Sequence, residues 1–139
     1  MTPEKIIWQK EFSIGNQHID NDHKVILDIY NSLVDIIENK NSLPDDFARI
    51  LSEMTVYALR HFEKEEAYMR NIKFPNIEDH IQQHRLYVYE VSMFNVNYKI
   101  STEIEDVLVF IKDWWIKHIQ GEDIRYEAYK QMNSINEIY

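Results

Sequence analysis

"EDHIQQHRLY", residues 78–87, contains no glycine or proline and sets His80 and His84 four positions apart. On a helix that spacing leaves the two imidazoles on one face, about 40° from alignment. Outward from this stretch the same face continues through Ile77, Tyr87, Val91, Phe94 and Tyr98. A 3–4 spacing of this length predicts a helix from about Asn76 to Tyr98 whose inward stripe is apolar except at the two histidines.

Three more segments carry such a stripe. From about Asn21 to Asn39 it reads His23, Ile26, Tyr30, Leu33 and Ile37. From Pro44, a favourable first-turn residue, to about Asn71 it reads Phe47, Ile50, Met54, Tyr57, His61, Glu65 and Tyr68. "KFPN" then breaks the chain at Pro75. The last segment opens on a capping-box pair, Thr102 with Glu105, and ends near Gly121, with Ile104, Val107, Ile111, Trp114 and His118 inward. "EDIRYEAYKQM" (122–132) forms a short helical tail, and Trp8 and Phe12 pack an N-terminal arm on the rest. The expected fold is all-α: one domain over residues 1–139, an up-down-up-down four-helix bundle with an N-terminal arm and a short C-terminal helix.

The bulk properties agree. At 139 residues and 45% hydrophobic, with two glycines and three prolines, the chain can build one helical core. Its net charge of −9 opposes nucleic acid and anionic membrane as partners. The absence of cysteine excludes disulfides, thiolate zinc sites, iron–sulfur clusters and cysteine nucleophiles. "MTPEKIIWQKEF" lacks the basic and apolar regions of a signal peptide, and the longest apolar run is "VLVFI" at 107–111. A cytoplasmic monomer is expected.

The polar interruptions of the stripes carry the function. His23 lies early in the first helix, His61 and Glu65 late in the second, His80 and His84 early in the third, and His118 late in the fourth. In an up-down-up-down bundle all of these fall at one end. His61 and Glu65 share a face just as His80 and His84 do. Asp123, five residues after His118, is a poor match to one helical face, and Gly121 offers a place for the helix to unwind and turn that carboxylate inward.

Imidazoles and carboxylates together suit iron, zinc, manganese or copper. Seven such ligands exceed one metal but serve two, if Glu65, Asp123 and a solvent-derived oxygen bridge them. Three bridges and three imidazoles complete one metal, whereas two imidazoles leave the other with an open position. No glutamate here has a histidine three residues later, so the Glu-x-x-His di-iron pattern is absent. A histidine-rich shell stabilises high-valent iron less, which favours reversible O2 binding over O–O cleavage.

These residues match a known family. "IIWQKEFSIGNQHIDNDHK" (6–24), "HFEKEEAYM" (61–69), "HIQQH" (80–84) and "WWIKHIQGED" (114–123) together resemble the hemerythrins, most of all the single-domain bacterial ones, over nearly the whole chain. The resemblance implies a non-haem, oxo- or hydroxo-bridged pair of iron ions that binds O2 reversibly. His80, His84 and His118 would ligate one iron, His23 and His61 the iron with the open site, and Glu65 and Asp123 would bridge. Ile26, Phe62, Trp114 and Ile119 would wall the oxygen pocket and keep it dry. Where the family usually carries leucine, this chain has Trp115, which either points into that pocket or turns outward to a neighbouring groove.

His18 matches no ligand position and reads as surface or supporting, and Glu63, Lys64 and Glu66 read as a solvated face. The expected function is storage, delivery or sensing of O2, or of another small diatomic or anionic ligand, without catalysis. Two rivals stand beside it: a di-iron enzyme consuming O2, peroxide or nitric oxide, told apart by turnover with an electron donor, and a zinc-bound or metal-free interaction module, told apart by metal analysis.

Overall fold

The computed structural model describes residues 4–39, 44–97 and 104–133. The first helix starts a turn before Asn21, because Asn16 caps it: its side-chain oxygen accepts from the Ile19 N–H at 3.2 Å. Gly15, with φ at 87°, supplies the left-handed step that brings the chain into this cap. The long helices are α1 (Gln17–Glu38), α2 (Pro44–Asn71), α3 (Ile77–Asn97) and α4 (Ile104–His118). After α2, the Phe74 N–H bonds back to the Met69 carbonyl at 2.9 Å, and Lys73 takes a positive φ, so the chain reverses ahead of Pro75. Tyr98 and the Thr102 end of the capping pair lie outside the described residues.

The end of α4 departs from the expectation. The helix does not unwind at Gly121; it widens into a π turn over Ile119–Asp123 and runs on into α5 (Ile124–Met132). A π turn repeats at i→i+5 rather than i→i+4, so Asp123 returns to the face of His118 although five residues separate them. Neither a left-handed backbone nor close approach requires the glycine: Gly121 lacks a positive φ, and an added Cβ would meet nothing within 4 Å. Gly121→Ala should therefore leave the centre intact and raise stability by about 0.5–1 kcal/mol, read as a higher thermal midpoint.

Helix α1 packs on α2, α2 on α3, and α4 closes the ring against α1 and α3. The described residues include no strand. The inward lines pass through Leu27, Leu33, Val34, Leu51, Met54, Ala58, Val91, Leu108 and Ile111, all buried. Ile37, Ile50, Tyr57, Ile77, Phe94, Ile104 and Trp114, placed inward by spacing, are half-buried flanks packed against this core. The arm is pinned to α1 by Asn31, which accepts from the Ile6 N–H and donates to the Ile6 carbonyl, both at 2.8 Å. Phe12 is buried and Trp8 packs partly against the core, as expected of the arm. Within α5, the buried Glu127 accepts from Asn16 at 3.2 Å and from the Tyr68 hydroxyl, tying the last helix to α1 and α2. Among the described residues, no helix is long and apolar enough to cross a membrane.

Candidate metal centre

At one end of the bundle the stripes give way to polar groups. His23, His61, Glu65, His80, His84, His118 and Asp123 are all buried. They form two groups, each with ligand atoms within 4.8 Å of one another: His80, His84, His118, Glu65 and Asp123 in one, His23, His61, Glu65 and Asp123 in the other. The two carboxylates belong to both. Asp123 spans them: Oδ1 lies 2.9 Å from His80 Nε2 and 3.0 Å from His118 Nε2, while Oδ2 lies 3.1 Å from His23 Nε2. Glu65 Oε1 lies 3.2 Å from His84 Nε2 and 3.5 Å from His61 Nε2, and Oε2 accepts from the Tyr126 hydroxyl at 2.7 Å.

The imidazoles are oriented from behind. His61 Nδ1 donates to Asp22 at 3.0 Å, His84 Nδ1 to Glu66 at 2.9 Å, and His118 Nδ1 to Gln83 at 3.1 Å. With those protons directed outward, the Nε2 lone pairs face the interior. There His118 Nε2 sits 3.1 Å from His80 Nε2 and 3.2 Å from His84 Nε2. Lone pairs so close repel unless a proton or a cation lies among them. In the second group, His23 Nε2, His61 Nε2, Glu65 Oε1 and both Asp123 oxygens complete no hydrogen bond. Buried polar atoms left in that state cost about 1–3 kcal/mol each. The donor set fits a metal pair.

Three features of this shell were not read from the sequence. Glu66 is not merely solvated, since it holds His84. Lys64 bonds Asp22 at 2.8 Å and Tyr57 does so at 3.2 Å, so Asp22 gathers a small network behind His61. Tyr126 stands on α5 against Glu65. An acidic residue beside a ligand histidine is a weak signal alone, because these partners come from other helices. His18 is exposed. Asp22→Asn keeps the size but weakens the acceptor behind His61, and should reduce metal affinity about 10- to 100-fold in competition with a chelator.

Charge in the centre is tightly coupled. Burial disfavours the cationic form of His23, but Asp123 and Glu65 outweigh it and raise its pKa to about 9. His84 is raised to about 9 against the same burial, by Glu65 and then Glu66. His61 is raised by Glu65 and Asp22 despite burial, whereas burial lowers His118. Burial opposes ionisation of Glu65, yet the facing imidazoles hold its pKa well below the usual range. Asp22 falls to about 2 because His61 and Lys64 overcome its burial. The metal-free centre thus gathers protons that a metal must displace.

Protonated His23 and His84 stabilise the metal-free fold fully below pH 6.5, and that contribution is lost as pH rises toward 9. Metal affinity runs the other way, increasing over the same window. Calorimetric titration at pH 7 in buffers of different ionisation enthalpy should show protons released on uptake; uptake without release would contradict the protonated centre.

Trp115 points inward, and its side chain is fully buried. Its ring centroid lies 6.3 Å from that of His23 and 6.2 Å from that of His61. Phe62 stacks on Trp115 at 5.5 Å on one side and on His84 at 3.9 Å on the other. Ile26 and Ile119 are also fully buried, while Trp114 is half-buried and stacks on His118 at 4.3 Å.

Comparison with known proteins agrees with this arrangement. The family model described as "Hemerythrin HHE cation binding domain" matches residues 15–129. A bacteriohemerythrin of Pseudomonas aeruginosa is 30% identical, over 87% of this chain and 78% of its own. One of Clostridium acetobutylicum is 29% identical, over 86% and 97%. In fold, the chain superposes on a wild-type hemerythrin crystal structure with a TM-score of 0.81 at 23% identity, covering 90% of this chain and 97% of that one. With buried imidazoles and shared carboxylates where a cation-binding domain needs them, the chain belongs to the hemerythrin family.

Proposed function

We propose that this protein binds O2 reversibly at a pair of iron ions, with His80, His84 and His118 on one ion, His23 and His61 on the other, and Glu65 and Asp123 shared. One observation carries this reading: two shared carboxylates stand between three imidazoles on one side and two on the other. A metal pair held so would have one protein ligand fewer on the His23–His61 side. Bound iron would supply a redox-capable pair with one open position for a small ligand.

The chain's own residues supply the rest. Ile26, Phe62, Trp115 and Ile119, with Trp114 at the edge, exclude water beside that position, and exclusion of water favours release of the ligand unchanged. Asp22, Glu66 and Gln83 fix the imidazoles. The Tyr126 hydroxyl, whose pKa burial and the Glu65 charge push well up, keeps its proton and holds Glu65 in place. The reading takes O2, or another small diatomic or anionic ligand, as the partner of a cytoplasmic monomer.

The test is the visible spectrum of the iron-loaded protein, reduced without air, exposed to O2 and then stripped of it. A charge-transfer band that appears with O2 and vanishes on its removal supports the proposal. Irreversible conversion to a diferric spectrum would replace it with an enzyme that consumes O2, peroxide or nitric oxide.

A further inference from the structure

We propose that Tyr126 and Tyr68 form a two-electron reserve that reduces hydrogen peroxide arising at the centre, each phenol giving up one electron and one proton. The inference rests on the iron-pair reading above, because O2 that leaves such a pair carrying two electrons and two protons is peroxide.

The two phenols cross between α2 and α5. Tyr126, on α5, donates to Glu65 of α2 at 2.7 Å, and Tyr68, three residues after Glu65 on α2, donates to Glu127 of α5. Both rings and both carboxylates are buried. The rings meet edge to face, their centroids 5.6 Å apart. The Tyr126 ring also stands 5.7 Å from that of His80, so this residue touches two ligands of the centre, one through its hydroxyl and one through its ring. From Tyr68 the contacts lead outward: Glu127 accepts from Asn16 at 3.2 Å, and the Lys130 ammonium lies 5.7 Å over the Tyr68 ring. A tie between two helices needs one such hydrogen bond. It needs neither the ring contact nor a second carboxylate.

Other oxidisable rings stand close to the centre. Trp115 lies 6.2 Å from His61 and 5.3 Å from Tyr87, centroid to centroid. The two routes differ in where a proton can go. An electron taken from a buried phenol or indole leaves a cation in the core unless a proton departs with it, and an isolated buried charge is costly. The Trp115 N–H and the Tyr87 hydroxyl complete no hydrogen bond. Tyr126 and Tyr68 each face a carboxylate, so the α5 side is the easier to oxidise.

The step balances. The O–O bond of one peroxide breaks and two waters form, which takes two electrons and two protons. Both electrons leave by way of Tyr126, one its own and one drawn from Tyr68 across the ring contact. Both phenol O–H bonds break, two phenoxyl radicals remain, and the iron pair ends with the charge it began with. The Tyr126 proton goes to the peroxide past Glu65; the Tyr68 proton rests on Glu127, and one solvent proton completes the second water. A small reductant of the ascorbate class restores the phenols.

The test mixes the iron-loaded diferric protein with hydrogen peroxide and freezes it for electron paramagnetic resonance. Wild type is expected to show a tyrosyl signal broadened by the neighbouring radical. Tyr68→Phe should keep a narrow signal at about half the spin count, and Glu127→Gln should match it. Tyr126→Phe should lose at least nine-tenths of the signal, while Tyr87→Phe should leave it as in wild type. Two irons per chain in each variant shows that the centre has survived. A wild-type protein that holds its iron pair but gives no tyrosyl signal would overturn the proposal. So would a signal indifferent to the Tyr126 and Tyr68 substitutions, or an indole radical in its place. Absence of the iron pair from the wild-type protein would instead overturn the functional reading beneath it.

Discussion

Glu65→Ala is expected to abolish metal uptake in both halves of the centre at once, which no single histidine substitution should do. Glu65 is common to both ligand groups, and one of its oxygens faces His84 and His61 together. Loss of an outer partner of a metal ligand already weakens binding about 10- to 100-fold, so loss of a shared ligand should exceed 100-fold. The metal-free protein should suffer too. Without Glu65 the raised pKa values of His23, His61 and His84 lose a principal cause, and the Tyr126 hydroxyl loses its acceptor. Breaking a buried charge network from one side costs about 3–5 kcal/mol. Glu65→Gln, which keeps volume and one oxygen, separates the effects: it should retain more of the stability but little of the metal. Retention of one full metal equivalent in the alanine variant would show that the two halves do not share this ligand.

The second large effect is thermal. Removing metal leaves five buried imidazoles and two buried carboxylates to satisfy one another, and six of their atoms complete no hydrogen bond. A ligand present at 1,000 times its Kd stabilises the fold by about 4 kcal/mol. For a domain of this size that is a rise of roughly 10–15 °C in the thermal midpoint. The rise should be larger at pH 8 than at pH 6, since protons on His23 and His84 substitute for metal at the lower pH. An unchanged midpoint on metal loading at both pH values would contradict a shared, buried site.

Most of the bundle was legible because its signals are local. The stripes located four helices, and the level of each histidine within its helix placed them at one end. What the sequence did not disclose depends on other helices or on backbone that departs from the ideal period. Asp123 was a poor ligand at five residues' spacing in an α-helix; the π turn at Ile119–Asp123 removes that objection, and nothing in "IQGED" announces it. Asn16 as the cap of α1 was obscured by the polar residues that follow it. Trp114 and Trp115 compete for one inward direction, and periodicity alone favoured the wrong one: four-residue spacing from Ile111 puts Trp115 in the core and leaves Trp114 at its edge. Glu66 looked like surface because its partner, His84, belongs to α3.

The most direct measurement is the iron content of the purified chain, loaded anaerobically with ferrous iron and freed of loosely held metal. The shared positions of Glu65 and Asp123 between three and two imidazoles predict two iron ions per chain, falling to less than one in Glu65→Ala. A wild-type stoichiometry of one, or of none, would contradict the paired centre on which the function rests.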